Sequence, residues 1–424
     1  MTAFAVVNAR LLDPASGLDA TGALLVEDSR IVDVAAGGSA PSGVEIVEAE
    51  GLCLAPGLID VRVKTGEPGA EPKETLKSAS LAAAAGGVTT IVVQPDVDPA
   101  VDDPAMVDFI HRRGAALDLV RVLAAGALTR GCSGERMAEI GLMDEAGAAY
   151  FTDGDHTIVN SRALQRVMTY AAAFDALVAV RPVEPWLNDG AVATAGDAAA
   201  WAGLAAAPAL AERIQLHRDL TLAELTGVRI LVDLISTEAA LDSLDRARAR
   251  GLQVAASVSI NHLCFNDLDA GDWRTFYRLD PPLRAESDRL AMIEGVRDGR
   301  IEVITSAHTP APAEDKRRPF AQAAPGAVGL ETLLAAALTL HHEHELTLLE
   351  VLRPLTLGPA ELLGLDGGRL TAGAPADFVL FDPNAPVVID ADALRSKSRN
   401  SPFDGRRLQG KVAATWVGGR RIFG

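Results

Sequence analysis

The segment GLIDVRVKTGEPG places Arg62 and Lys64 two residues apart at the end of an apolar run. Alternate residues of a strand share a face, so such a pair could hold one ion between them. Two histidines in that pattern would make a metal site. A guanidinium and an ammonium have no lone pair to offer while charged, and arginine is effectively always charged. Other apolar runs end in reactive residues too. Thr152-Asp153-Gly154-Asp155 is the end richest in carboxylates. One run ends at Arg181, another in Asp233-Leu234-Ile235-Ser236-Thr237, and the last in Ser306-Ala307-His308. These residue types favour charge pairing over metal chemistry. Arg62, Lys64 and Arg181 are expected to form a buried cationic cluster paired with Asp153 and other acids. The plainer alternative is that the three side chains snorkel into solvent.

The elements that must position these residues follow from the pattern of the chain. The first ~50 residues read as β-strands: AFAVVNARLLD, GALLVEDSRIVDVA and VEIVEAEGLCLAPG are β-branched runs broken by Gly, Pro and Asp. From residue 56 the runs GLIDVRV, VTTIVVQP, LVRVLAAGA, AAYFT, ALVAVR, RILVDLI, LQVAASV and IEVITSA alternate with helical stretches. Two of these, PKETLKSASLAAAAGG and TEAALDSLDRARARG, end in glycine, where a helix C-cap belongs. Alternating strands and helices imply a parallel sheet with right-handed crossovers. About eight such units favour a closed α/β barrel of the (β/α)8 type, with reactive groups at the C-terminal strand ends. After residue 365 the β pattern returns in ADFVLFDP, APVVID and KVAATWVGGRRIFG. The expected organisation is a small β-sandwich domain from residues 1–55 plus 366–424, and a barrel over 56–365.

The 424 residues carry 39 basic and 57 acidic side chains, a net charge of −18. That balance argues against nucleic acid and anionic membranes as partners. Three scattered cysteines suggest neither a disulfide framework nor a thiolate zinc site, and fit a reducing cytoplasm. The N-terminal stretch lacks a basic region followed by an apolar core. No charge-free apolar run reaches the roughly 18 residues needed to span a bilayer. His341, His342 and His344 form a dense tract, expected at a solvated helix end rather than around a metal. His308 and His262 read as hydrogen-bonded structural residues. The Pro-rich stretch TPAPAEDKRRPFAQAAPG after the last barrel strand is expected to be a lid or a partner-contact loop.

Over essentially its whole length the chain resembles the dihydroorotases of the amidohydrolase superfamily. The resemblance rests on ASGLD, APGLIDVRV with GEPG, KETLKSASLAAAAGGVTTIV, DLTLAELTGVRI, DPPLRAESDR, VGLETLL and NSPFDGRRLQGKV. It implies a site with His-x-His on strand one, an Asp or carbamylated Lys, two further His on strands five and six, and an Asp on strand eight. This sequence departs from that set. The His pair falls on Arg62 and Lys64, the next two His on Arg181 and Leu234, and the Asp on Ala307, beside a retained His308. Near strand four a carboxylate survives, with either Asp153 or Gly154 at the ligand position. Substrate positions change as well: the family's Arg falls on Gly66, and two Asn fall on Asp96 and Asp280. Those two aspartates would oppose an anionic dihydroorotate.

The resemblance thus implies a non-catalytic homologue, without catalytic residues and without the family's zinc. It further implies an oligomer acting as a structural partner of aspartate carbamoyltransferase in pyrimidine synthesis. The alternatives are an active metal-dependent cyclic amidohydrolase with a rebuilt site, and a small-molecule sensor using the three cations as an anion clamp.

Overall fold

The computed structural model of the protein describes residues 3–38 and 43–424. Met1 and Thr2, the start of the N-terminal stretch considered above, lie outside them. Eight apolar runs form the expected ring. Leu58–Val63, Val88–Val93 and Arg121–Ala124 pair in parallel. Leu177–Val180, Arg229–Val232, Val254–Ser259 and Val303–Thr305 form a second parallel set. Phe151 bridges the two sets, pairing with Gly126 on one side and Val178 on the other. Val63 bridges His308 and closes the ring, with the Lys64 amide donating to the His308 carbonyl at 2.8 Å. The molecule is an α/β barrel carrying a β domain built from both chain ends.

That domain is one hydrogen-bonded sheet. Strand Cys53–Pro56 lies between Phe4–Asp13 from the N-terminal part and Phe378–Val388 from the C-terminal part. Its core stacks Phe378 on Trp416, with ring centroids 4.8 Å apart, and sets Phe4 at the other side. Helix Leu76–Ala85 packs between barrel and sheet. Thr75 and Ser78 close a capping box at its start, which satisfies backbone donors that the first turn would leave unpaired. Its alanines let the sheet approach closely, so Thr415 Oγ1 can donate to the Ala84 carbonyl at 2.7 Å. Gly87 then turns the chain with φ +79°, where a Cβ would stand 2.8 Å from Val379.

Between the sheet strands Phe378–Val388 and Arg407–Val417 the chain leaves the β domain and runs over the barrel. There Asn400 donates to the carbonyls of both Thr309 and Gly326, each at 3.0 Å. Its own Oδ1 accepts from Ala311 N at 3.1 Å. One amide thus ties together the two ends of the Pro-rich loop. Lys316 pins the middle of that loop, donating from Nζ to the carbonyls of Thr275, Arg278 and Ala324. The loop is a strap across the barrel mouth. Among the described residues no helix is long and apolar enough to cross a membrane.

Candidate functional site

Arg62 and Lys64 emerge on the inner face at the end of the first barrel strand, as strand alternation requires. Both reach Asp155. Arg62 Nη2 lies 2.6 Å from Asp155 Oδ1, and Lys64 Nζ bonds to Asp155 Oδ2. Arg181, from the end of strand five, brings Nη1 to within 3.1 Å of Asp155 Oδ1. One carboxylate therefore joins three cations. Each cation has a second acid: Asp233 Oδ2 lies 2.7 Å from Arg62 Nε, Asp96 Oδ2 2.5 Å from Lys64 Nζ, and Asp280 Oδ1 2.8 Å from Arg181 Nη2. The side chains of Arg62 and Arg181 are only 2% exposed, which excludes the snorkelling alternative.

The charges hold one another. Burial alone would push these groups toward neutrality, because a low-dielectric surrounding penalises the charged form. Around Asp155 that penalty is outweighed by Lys64, Arg181 and Arg62, and its carboxyl is held well below the usual range. Burial likewise opposes the charge of Arg62, Lys64 and Arg181. The facing aspartates win in each case and raise all three above their ordinary values. Asp155 and its three cations are therefore charged, and in all four carboxylates stand around three cations.

Asp153 is not the partner of these cations. It turns away, accepts from Thr129 N at 2.8 Å and from Thr129 Oγ1, and burial pushes its carboxyl up to about 6. The cause is Gly154. In an unbroken strand Asp153 and Asp155 would share a face, but Gly154 adopts φ +64° and sends them apart. Only glycine fits there, because a Cβ would stand 2.5 Å from Asp96 Cγ. That glycine, between two acids at a strand end, was the available signal that Asp155 and not Asp153 faces the cluster. Asp233, the partner of Arg62, carried no comparable signal.

Asp96 and Asp280 have a role that charge repulsion toward a substrate does not describe. Each is spent on a cation of the cluster. The same pairing leaves no free cationic clamp for an anion. Gly66 leaves no room for a side chain, since a Cβ would meet the Ala70 carbonyl at 1.9 Å. Leu234 and Ala307 lie at the mouth with φ of 57° and 50°. Left-handed backbone is uncommon outside glycine, and for a bulky leucine it is strained.

His308 has a carboxylate partner that sequence reasoning missed. Its Nε2 lies 3.4 Å from Glu74 Oε2, and its Nδ1 accepts from Gly329 N at 3.2 Å. Burial pushes Glu74 up, but bonds from His308, Ser396 and Ser78 outweigh it and leave the carboxyl below its ordinary value. The pair is fully buried, as a structural network would be. The histidine tract also binds backbone. His341 Nδ1 contacts the Leu346 carbonyl at 2.6 Å, and His342 Nε2 the Pro383 carbonyl at 2.8 Å. That helix end is half-buried rather than simply solvated.

Two openings adjoin the cluster and share Asp155, Thr309 and Pro325. The inner one, beside Arg62, Leu234 and Ala307, has a volume of about 30 Å³. The outer cleft, beneath the strap, measures about 390 Å³. The positions where the resemblance puts ligands present guanidinium, ammonium, isobutyl and methyl groups, none of which donates a lone pair, and Asp96, Asp155 and Asp280 of the lining are paired with cations. Among the described residues no three His, Cys, Asp or Glu converge as a metal would require.

Known proteins bear on this arrangement. The family described as "Dihydro-orotase-like" matches residues 51–240, and the "Amidohydrolase family" matches residues 189–423. A dihydroorotase of Anaplasma phagocytophilum is 38% identical over 425 residues, covering 99% of this chain and 95% of its own. A "Dihydroorotase-like protein" of Pseudomonas aeruginosa is 38% identical over 412 residues, covering 97% of each. Among solved structures, L-hydantoinase from Arthrobacter aurescens superposes with a TM-score of 0.88 at 24% identity, covering 100% of this chain and 96% of its own. Dihydropyrimidinase from Brevibacillus agri superposes at 0.85 and 19% identity, covering 100% and 95%. At these identities the structural likeness speaks for the fold.

Proposed function

We infer that this chain, which belongs to the dihydroorotase family of the amidohydrolase superfamily, is a non-catalytic member that serves as an assembly partner of aspartate carbamoyltransferase. One observation carries the first half of this reading. The centre of the barrel mouth, where the family resemblance would put metal ligands, is filled by Arg62, Lys64 and Arg181 paired around Asp155. Hydrolysis of a cyclic amide by the family's route needs an ion that makes hydroxide near neutral pH and polarises the carbonyl. Fixed cations replace the charge of such an ion and keep the barrel mouth folded, but they generate no hydroxide. The inner cavity of about 30 Å³ would admit a water or two, not a substituted ring. The left-handed turns at Leu234 and Ala307 fit a scaffold once shaped to present ligands that the side chains no longer supply.

The partner comes from the resemblance, in which non-catalytic homologues act as structural partners of aspartate carbamoyltransferase. Two measurements test the two halves. The purified chain is expected to hold well below one equivalent of zinc and to leave dihydroorotate intact with or without added zinc. One or two tightly held ions, or turnover that survives repurification, would overturn the first half. Mixed with the aspartate carbamoyltransferase of its own organism, it is expected to co-elute in size-exclusion chromatography. A stable interface of that kind buries more than about 1,200 Å². Two well-folded proteins eluting apart, with transcarbamoylase activity unchanged by mixing, would remove the second half.

A further inference from the structure

One flank of the barrel carries an inference that goes beyond this reading and does not depend on whether the mouth is catalytic. Among the described residues eighteen large hydrophobic side chains are exposed, and the span from Met137 to Leu225 holds eleven of them. Single exposed hydrophobics need no explanation, but a contiguous set marks an interaction surface. Much of this set is contiguous. Helix Ser161–Ala172 packs on helix Leu210–Thr226, and Arg218 Nη1 of the second reaches the Val159 carbonyl beside the first at 2.9 Å. Tyr170 and Phe174 stand against Gly141 of helix Ile140–Glu145, where a Cβ would meet the Phe174 ring at 2.8 Å. On the outer face of Leu210–Thr226, Leu210, Ile214, His217, Thr221 and Leu225 recur at helical spacing, all exposed. The β domain leaves this flank bare. Its sheet packs on helices Leu76–Ala85 and Leu333–His344, which follow the first and last barrel strands, across the ring.

A flap stands at the head of this flank. After Arg181 the chain leaves the barrel, pairs Ala193–Thr194 with Ala206–Ala207, and leads directly into Leu210. The flap is tied down. Thr194 Oγ1 donates to the Leu283 carbonyl at 2.8 Å and accepts from Arg284 Nη1 at 3.1 Å. Yet Trp186 is 80% and Trp201 88% exposed, two of the four tryptophans of the chain. A fastened segment that presents tryptophan to solvent suits a partner rather than its own core.

Charge and area indicate the occupant. Among the described residues Arg162, Arg166 and Arg213 on the two helices make no ion pair, and neither do Asp189 and Asp197 on the flap. A partner of one sign would suit one set and be opposed by the other. A second copy turned about a two-fold axis brings free carboxylates to free guanidiniums twice over. Four tryptophans from two copies would remove roughly 600–1,000 Å² from water, at about 150–250 Å² each. With Leu210 and Ile214 the total reaches the roughly 1,200 Å² of a stable interface.

We propose that this flank is the face of a two-fold dimer, in which the flap 185–209 of one copy packs on helices Ser161–Ala172 and Leu210–Thr226 of the other.

Sedimentation velocity of the full chain alone, at micromolar concentration, tests this. The expected mass is twice the 44.2 kDa of one chain. Ile214→Lys adds a cation among the arginines of the contact, and Trp201→Ala removes an anchor. Each should weaken dimerisation about tenfold or more. Both positions are exposed in the single chain, so circular dichroism should remain that of wild type. Val388→Ala, also exposed but on the β domain, should leave the mass unchanged. Acrylamide should quench the tryptophan emission of monomeric Ile214→Lys more strongly than that of the wild-type dimer. A monomeric wild type overturns the proposal, and so does a dimer that both variants leave intact. A monomer whose binding to aspartate carbamoyltransferase is lost in Ile214→Lys would give the face to that partner and overturn it too. Co-elution with the transcarbamoylase is measured separately, so either reading can fail alone.

Discussion

Asp155 accepts from three cations at once, yet its side chain is 38% exposed. Removing one member of a buried charge cluster strands the others, at roughly 3–5 kcal/mol. The partial exposure puts Asp155→Asn toward the lower end of that range, because water can take over part of the pairing. Asp153→Asn should cost about 1 kcal/mol or less, since it touches no cation and keeps one acceptor for Thr129. Chemical denaturation of the two variants side by side checks the assignment, and a larger loss in Asp153→Asn would reverse it. Asp219 offers a pH test. Burial pushes its carboxyl up to about 6, against the opposing pull of Arg218 and Gln215. A raised carboxyl favours the protonated folded state, so the charge penalty is present at pH 7 and relieved as pH falls through about 6. Wild type should therefore gain Tm relative to Asp219→Asn between pH 7 and pH 5. A wild-type Tm that stays level or falls relative to the variant over that range would contradict the shift.

At the scale of elements, the strap 309–326 depends on two tethers from outside itself. Asn400 holds its ends and the carbonyls of Thr275 and Arg278 hold Lys316. An ammonium has three protons, and Lys316 uses all three on carbonyls. Asn400→Ala should free the loop ends while leaving the barrel strands untouched. Trypsin should then cut faster after Arg317, which lies in the exposed part of the strap. Equal cleavage rates in wild type and variant would show that Asn400 does not hold the strap. The same segment explains why this loop could be read as a lid but not as a fastened one. Asn400 is 91 residues from Thr309, and nothing in NSPFDGRRLQGKV announces which loop it will meet.

At the scale of the molecule, both chain ends complete one sheet around Cys53–Pro56. A chain ending at residue 377 would lose three strands, expose the edge of Cys53–Pro56, and uncover Phe4 and its neighbours. An unpaired edge beside apolar surface invites aggregation. Such a chain is expected in the insoluble fraction, and its recovery as a soluble, cooperatively folding barrel would show that the sheet is dispensable.

The sequence by itself determined the order of strands and helices, because each apolar run and each glycine stop is a local signal. It determined that Arg62, Lys64 and Arg181 stand at strand ends, and that Leu234 and Ala307 bring no ligand. Local pattern suffices there, since residue type alone settles whether a side chain can donate a lone pair. It could not determine which acid neutralises which cation. Asp96, Asp155 and Asp233 come from three different strand ends and Asp280 from the long connection after Val254–Ser259, and only closing the ring brings them within 3.1 Å of the cations. Nor could alternation choose between Asp153 and Asp155, because it presumes an extended chain and Gly154 leaves that conformation. Ion pairing acts across space rather than along the chain, so the tertiary structure decided it.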